Sequence, residues 1–331
     1  MALIIPVTLL ILVIVLANLV AESSDKNIRR VYTILLLVFN GFVVLLGLSA
    51  VVASPLLLSN LADFDLPDMN IAAAGWSLFL IGLWGFLVSL LPTRRLLGRV
   101  MPIDPASPVH TLALVLAGYL VGNTLLTLVL GGLEELAATA VAVSVLDIII
   151  QQLAFVAVAF VGVGVITRRD LESTLKRLGL VRPTASQLLI GLAWIAILVF
   201  MQGLAGGIWA LLNPDLAATL EGLNESLLGD FDTVGEWLIL ALAAGIGEEI
   251  LFRGAIQPVF GLVTTSLLFA VVHVQYGFTP ITVVVFLIGI ILGLIRRRYN
   301  TTTAIFVHVG YNFTLGLLSL LAVYLEQFIP Q

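Results

Sequence analysis

Residues 234–258 read VGEWLILALAAGIGEEILFRGAIQP. From Trp237 to Gly247 nothing is charged; then Glu248, Glu249 and Arg253 fall inside the same apolar run. A run of this length and composition is a membrane-helix candidate. An ionisable group at the centre of a bilayer costs at least about 2.5–3.5 kcal/mol, so such groups are functional candidates by default.

The rest of the chain has the same character. It has 331 residues, 60% hydrophobic and only 11% charged, with a mean hydropathy of +1.16. Soluble domains carry roughly 25% charged residues, so a water-soluble globule is excluded. The net charge is −5 without a block of basic residues, which argues against nucleic acid as a partner. The absence of cysteine excludes disulfides, thiolate metal sites and a cysteine nucleophile. The expected class is all-α: a polytopic transmembrane helical bundle whose surroundings are the lipid bilayer.

Long apolar runs predict ten spans, at about 2–20, 31–53, 71–92, 111–130, 143–166, 187–212, 234–258, 262–275, 280–295 and 302–325. The first run has no basic residues ahead of it, and Lys26, Arg29 and Arg30 follow it. That order fits an uncleaved anchor with its N-terminus outside. With ten alternating spans, Lys26, Arg29 and Arg30, then Arg94, Arg95 and Arg99, then Arg168, Arg169, Lys176, Arg177 and Arg182, then Arg253, then Arg296, Arg297 and Arg298 all fall on one side. These are all 15 Lys and Arg of the chain. The opposite loops are acidic, with Asp63, Asp65 and Asp68, then Glu134 and Glu135, then residues 215–236. The basic side is expected to be cytosolic. Compact length without a eukaryotic targeting signal points to a prokaryotic cell membrane. Leu171, Leu175 and Leu178 fall at helical spacing opposite basic residues; this amphipathic connector fits a helix on the lipid surface and a solvated linker equally. Gly289 and Gly293 form a GxxxG pair suited to close helix packing.

In the first six spans, Asn40, Asn123 and Gln202 read as helix–helix hydrogen-bonding groups. Asp147, with Gln151 one turn on, reads as a hydrogen-bonded carboxyl holding helices together. His110, in a Pro-rich loop, reads as a surface histidine.

The last four spans differ. They carry Gly247-Glu248-Glu249-Ile250-Leu251-Phe252-Arg253-Gly254, then Phe269-Ala270-Val271-Val272-His273, then His308-Val309-Gly310-Tyr311-Asn312. Adjacent helical residues point about 100° apart, so Glu248 and Glu249 serve different faces. Glu249 and Arg253 are i, i+4 with the acid first, the favoured order for an ion pair. Glu248 has no local counter-charge and suits a general base. At 1.5 Å per residue, His273 is expected roughly 16 Å from the inner end of its helix, His308 roughly 9 Å and Glu248 roughly 15 Å. Phe269 and His273 are expected on one helix face, as are His308 and Asn312.

No serine or cysteine joins this set, which argues against a covalent nucleophile. A carboxylate with a histidine can take a proton from water and aim it at a carbonyl. A second histidine with an amide can donate to the resulting oxyanion. That combination describes peptide hydrolysis with no required cofactor. The alternative is a divalent metal such as zinc on Glu248, His273 and His308, although HExxH spacing is absent.

EExxxR, FxxxH and HxxxN on successive C-terminal membrane helices resemble the CAAX-processing and bacteriocin-protection (CPBP, Abi-domain) family. Its members are intramembrane endopeptidases related to the type II CAAX prenyl endopeptidases. The resemblance covers about residues 185–325, beginning at LGLVRPTASQLLIGL. It implies a CPBP core at 187–325, after N-terminal helices of unknown role at 1–166 and a cytosolic connector at 167–186. It further implies that Glu248 and His273 activate water, that His308 and Asn312 stabilise the oxyanion, and that Glu249, Arg253 and Phe269 support them. The expected partner is a membrane-associated protein or peptide substrate, which in eukaryotic members is a prenylated CAAX protein cut at the cytosolic face. Two other readings stay open: a non-proteolytic scaffold or immunity protein of the same family, and a proton-coupled transporter using Glu248, the histidines and Asp147 as a relay.

Overall fold

A computed structural model describes residues 4–61, 70–229 and 231–328. The acidic loop expected around Asp63, Asp65 and Asp68 lies outside the described residues. The described chain is helical, the one β contact being an isolated bridge between Val165 and Arg169. Among the described residues, eight helices have the length and apolarity to cross a membrane: Ile5–Glu22, Lys26–Ser54, Ile71–Ser89, Pro108–Val129, Val145–Gly162, Ala185–Leu212, Pro280–Arg298 and Thr301–Leu325. They expose large apolar side chains, Phe42 at 62% and Phe200 at 70% among them, a surface that only lipid tolerates.

The chain divides into two compact units. One comprises Leu16–Leu136 and Val271–Gly277. Its long helices are α2 (Lys26–Leu61), α3 (Ile71–Ser89) and α5 (Pro108–Thr139), with the short α4 (Leu91–Leu97) following α3. Helices α2 and α3 touch backbone to backbone: a Cβ on Gly47 would sit 2.4 Å from the Phe79 nitrogen. Asn40 is fully buried, its amide donating to Leu36 O (2.8 Å) and its oxygen accepting from Tyr119 Oη of α5 (3.4 Å), the interhelical role expected for it. Gly132, at φ 66 and ψ −165, breaks α5. His110 accepts the Asp104 backbone N–H at Nδ1 (2.8 Å) and so closes its loop.

The other unit comprises Met1–Val15, Ala137–Ala270 and Phe278–Gln331. It holds α6 (Val145–Gly162), α7 (Leu171–Leu178), α8 (Ala185–Leu212), α9 (Pro214–Leu228), α10 (Val234–Glu248), α11 (Gln257–Phe260), α12 (Leu262–Val271), α13 (Pro280–Arg298) and α14 (Thr301–Glu326). Its core joins Leu198 of α8, Ile288 and Leu292 of α13, and Ala304, Val307 and Tyr311 of α14. Helix α6, expected among the N-terminal helices of unknown role, packs here against α10.

Four expectations are corrected. The seventh span is not one α-helix: α10 runs into a π-helix over Glu249–Ile256 and then α11. The eighth ends at Val271 and not at 275; ten residues span about 15 Å, half of a hydrocarbon core. Helix α9 was read as acidic loop, yet Leu220 and Leu223 are buried on one face of it. Asp147 holds no helices together. It is exposed at the third residue of α6, where its carboxylate accepts from Ser144 Oγ (2.6 Å) in a capping box.

Helix α7 also resolves the connector. Asp170 caps its start by accepting from Ser173 N (2.8 Å), and Gly179 ends it at φ 74. Leu178 is fully buried, and a Cβ on Gly254 would lie 3.1 Å from it. Arg177 donates to Gly254 O (3.0 Å), and Thr301 Oγ1 donates to Leu178 O (2.6 Å). The connector is therefore docked onto the π-helix and the start of α14.

Candidate active site

The polar centre of the C-terminal helices is built on the π-helix. A π turn closes i→i+5 hydrogen bonds, and such turns are rare and frequent at functional sites. Glu249 and Arg253 lie within it, 0% and 1% exposed, joined by a 2.8 Å contact between Arg253 Nη1 and Glu249 Oε1. This is the ion pair that the i, i+4 spacing predicts. The same Glu249 oxygen lies 2.9 Å from His308 Nδ1 on α14. An ionised carboxylate can only accept, so Nδ1 carries the proton and Nε2 is the ring nitrogen left for chemistry. Glu249 thus fixes the orientation and tautomer of His308, a role beyond that of ion-pair partner.

Aromatic contacts enclose this trio. The Arg253 guanidinium lies 4.2 Å from the centroid of Phe269 on α12, within cation–π range. Phe269 packs edge-on against Phe252 and His308, at 5.2 and 6.1 Å between centroids. These groups are aromatic or cationic around the Glu249 carboxylate, which is paired with the Arg253 charge.

Close helix packing makes the convergence feasible. Gly245, one turn before Glu248 and Glu249, faces α14: a Cβ there would meet Val309 Cγ2 at 2.6 Å and Val309 N at 3.0 Å. Gly247 faces α6, where a Cβ would lie 2.3 Å from Gln152 Oε1. The GxxxG pair on α13 acts similarly. A Cβ on Gly293 would lie 2.3 Å from Leu262 Cδ1, and one on Gly289 3.1 Å from Ser266 Cβ. The freed approach is used by hydrogen bonds, from Arg253 Nη2 to Gly289 O (3.4 Å) and from Gln257 Nε2 to Gly293 O (2.9 Å). Gln257 was missed in the sequence; its position four residues after Arg253 is the signal that could have found it.

Of the sequence-predicted residues, Glu249, Arg253, Phe269 and His308 are brought together. Glu248 is the last residue of α10, immediately before the π-helix, and Asn312 lies one turn beyond His308 on α14, the helix packed against α10. His273 does not share a helix face with Phe269, because α12 ends two residues before it. It lies instead in the Val271–Gly277 segment of the other unit, its ring stacked on Tyr276 at 6.3 Å and 5°. Among the described residues no group of three or more His, Cys, Asp or Glu side chains is arranged to hold a metal ion.

Comparison with known proteins bears on the same region. Residues 230–314 match the family described as type II CAAX prenyl endopeptidase Rce1-like. A curated Bacillus subtilis (strain 168) relative, "Uncharacterized protein YpbD", is 29% identical over 118 residues, or 34% of this chain. The match spans 60% of that relative's length. No solved structure matches. The family match begins just before α10 and ends just after Asn312, enclosing all three motifs. Over these C-terminal helices the chain is similar to that family, within a protein whose long apolar helices have the length to cross a membrane.

Proposed function

We propose that the protein is an intramembrane endopeptidase that hydrolyses a peptide bond of a membrane-associated substrate with water activated by Glu248. The observation that supports this reading best is the buried Glu249–Arg253–His308 trio within the region matched to the Rce1-like family. Burying two full charges and an imidazole is costly and is retained where it orients a reacting group. In the proposed reaction the Glu248 carboxylate takes a proton from water while the hydroxyl oxygen bonds to the scissile carbonyl carbon. The resulting oxyanion is held by His308 and the Asn312 amide. With Nδ1–H committed to Glu249, His308 donates from Nε2 only as the doubly protonated ring, which leaves the trio with one net positive charge that favours an oxyanion. The C–N bond then breaks as the proton passes from Glu248 to the departing amine. His273 enters as a second group acting on water through the resemblance of its FxxxH motif. Substrates of the CAAX type, with the site open to the cytosol, follow from the same resemblance.

The test is cleavage by the purified protein in liposomes of matched peptides ending in a CAAX sequence, with and without a prenyl group. Cleavage by wild type and none by Glu248→Gln supports the reading. Equal cleavage by both proteins overturns the role of Glu248.

A further inference from the structure

Three helices of the C-terminal unit end in arginines at a single place. Arg168 and Arg169 lie in the turn after α6, where both backbone amides donate to Gly164 O, at 2.8 and 2.9 Å. The side chain of Arg169 is fixed by donation to Val163 O. One residue later Asp170 opens α7, and Arg177 lies near the end of that helix with one guanidinium nitrogen on Gly254 O. Arg296 is in the last turn of α13. The connection into α14 returns it to α7, because Thr301 N donates to Gly179 O (3.0 Å) and Thr301 Oγ1 to Leu178 O. Burial, and after it the neighbouring charges of Arg169, Arg296 and Arg168, push the Arg177 pKa down to about 10. Arg177 remains fully cationic at neutral pH. The carboxylate of Asp170 is turned onto its own helix, accepting from Ser173 N. Arg296 Nε is buried without a hydrogen-bond partner among the described residues.

We propose that Arg168, Arg169, Arg177 and Arg296 form a binding site for a phosphate-bearing anion, occupied by the headgroup of an anionic lipid. Guanidinium forks match phosphate oxygens in pairs, and one divalent or diester phosphate among four cations relieves their mutual repulsion. The site lies where membrane helices α6 and α13 end and α14 begins, the level of lipid headgroups, and basic pockets between such helices bind anionic lipid. Through Arg177 and Gly254 an occupant would brace the end of the π-helix that carries Glu249 and Arg253.

The test uses the full-length protein in nanodiscs of phosphatidylcholine with and without phosphatidylglycerol, and in neutral detergent with inorganic phosphate. Unfolding midpoints and native mass spectra of retained lipid are read. A ligand that binds only the folded state raises the midpoint. Phosphatidylglycerol is expected to raise it and to be retained through delipidation in preference to phosphatidylcholine. Arg177→Gln and Arg296→Gln are each expected to lose at least half of that shift, and Arg99→Gln, an exposed arginine elsewhere, to keep it. Arg296→Gln decides alone if Arg177→Gln fails to fold. A shift with phosphate but none with phosphatidylglycerol overturns the lipid assignment. No shift with either, or the same shift in every variant, overturns the site.

Discussion

Replacing Glu249 by alanine removes the one acceptor shared by Arg253 Nη1 at 2.8 Å and His308 Nδ1 at 2.9 Å. Arg253 is then left as a cation 1% exposed, and breaking one side of a buried pair costs about 3–5 kcal/mol. The His308 N–H loses its acceptor too, worth about 1–3 kcal/mol alone. The two losses share one carboxylate and overlap, so the single variant should lose about 3–5 kcal/mol in total. Apolar groups of similar volume replace buried ion pairs with little penalty. The double variant Glu249→Met/Arg253→Met should therefore recover the charge-burial part of the loss and stay about 1–3 kcal/mol below wild type, the cost of the unpaired His308 N–H. Its peptidase activity should stay lost, because His308 still lacks the group that orients it. Reversible unfolding in mixed micelles, extrapolated to zero denaturant, gives the stabilities, and cleavage in liposomes gives the activity. A Glu249→Ala protein within about 1 kcal/mol of wild type, or a double variant no more stable than the single, would refute this account of the trio.

Three further outcomes are expected. Gly245→Leu drives a side chain into Val309, whose Cγ2 would lie 2.6 Å from the new Cβ. It should cost about 1–3 kcal/mol and lower turnover by displacing His308, as measured by unfolding and cleavage in parallel. Gln257→Leu removes the 2.9 Å bond to Gly293 O and should cost about 0.5–1.5 kcal/mol while leaving cleavage near wild type. The Ser173 hydrogen bond holds the Asp170 carboxyl below its ordinary value of 3.8. Because the folded value is lowered, the cap contributes fully above the ordinary value and is lost as pH falls through the lowered one. Hydrogen exchange at Ser173 and Thr174 should therefore accelerate on acidification relative to Asp170→Asn, which caps without titrating.

The bilayer made much of the fold legible, since a spanning helix must write its length in apolar residues. Spans such as Ala185–Leu212 and Pro280–Arg298 agree with the sequence boundaries to within three residues. Hydropathy fails where apolarity and helicity part. Phe269-Ala270-Val271-Val272 stays apolar through the end of α12, and no Gly or Pro intervenes before Gly277. The π-helix leaves no compositional mark in the apolar run that contains it. Helix α9 was hidden by its exposed acids, although Leu216, Leu220, Leu223 and Leu227 recur at helical spacing. Asp147 was misplaced by ignoring Ser144 three residues earlier, a capping pattern in plain view. Within the site, the i, i+4 rule found Glu249–Arg253, but the bond from Glu249 to His308 joins residues 59 positions apart. No local pattern carries such a contact.

The central claim is that Glu248 makes this chain a peptidase. It is tested most directly by comparative N- and C-terminal proteomics of host membranes containing wild type or Glu248→Gln at equal levels. The account predicts new peptide ends present with wild type and absent with the variant, which would also name the substrate and the bond. Identical termini in the two membranes, with an unchanged phenotype for the variant, would contradict it.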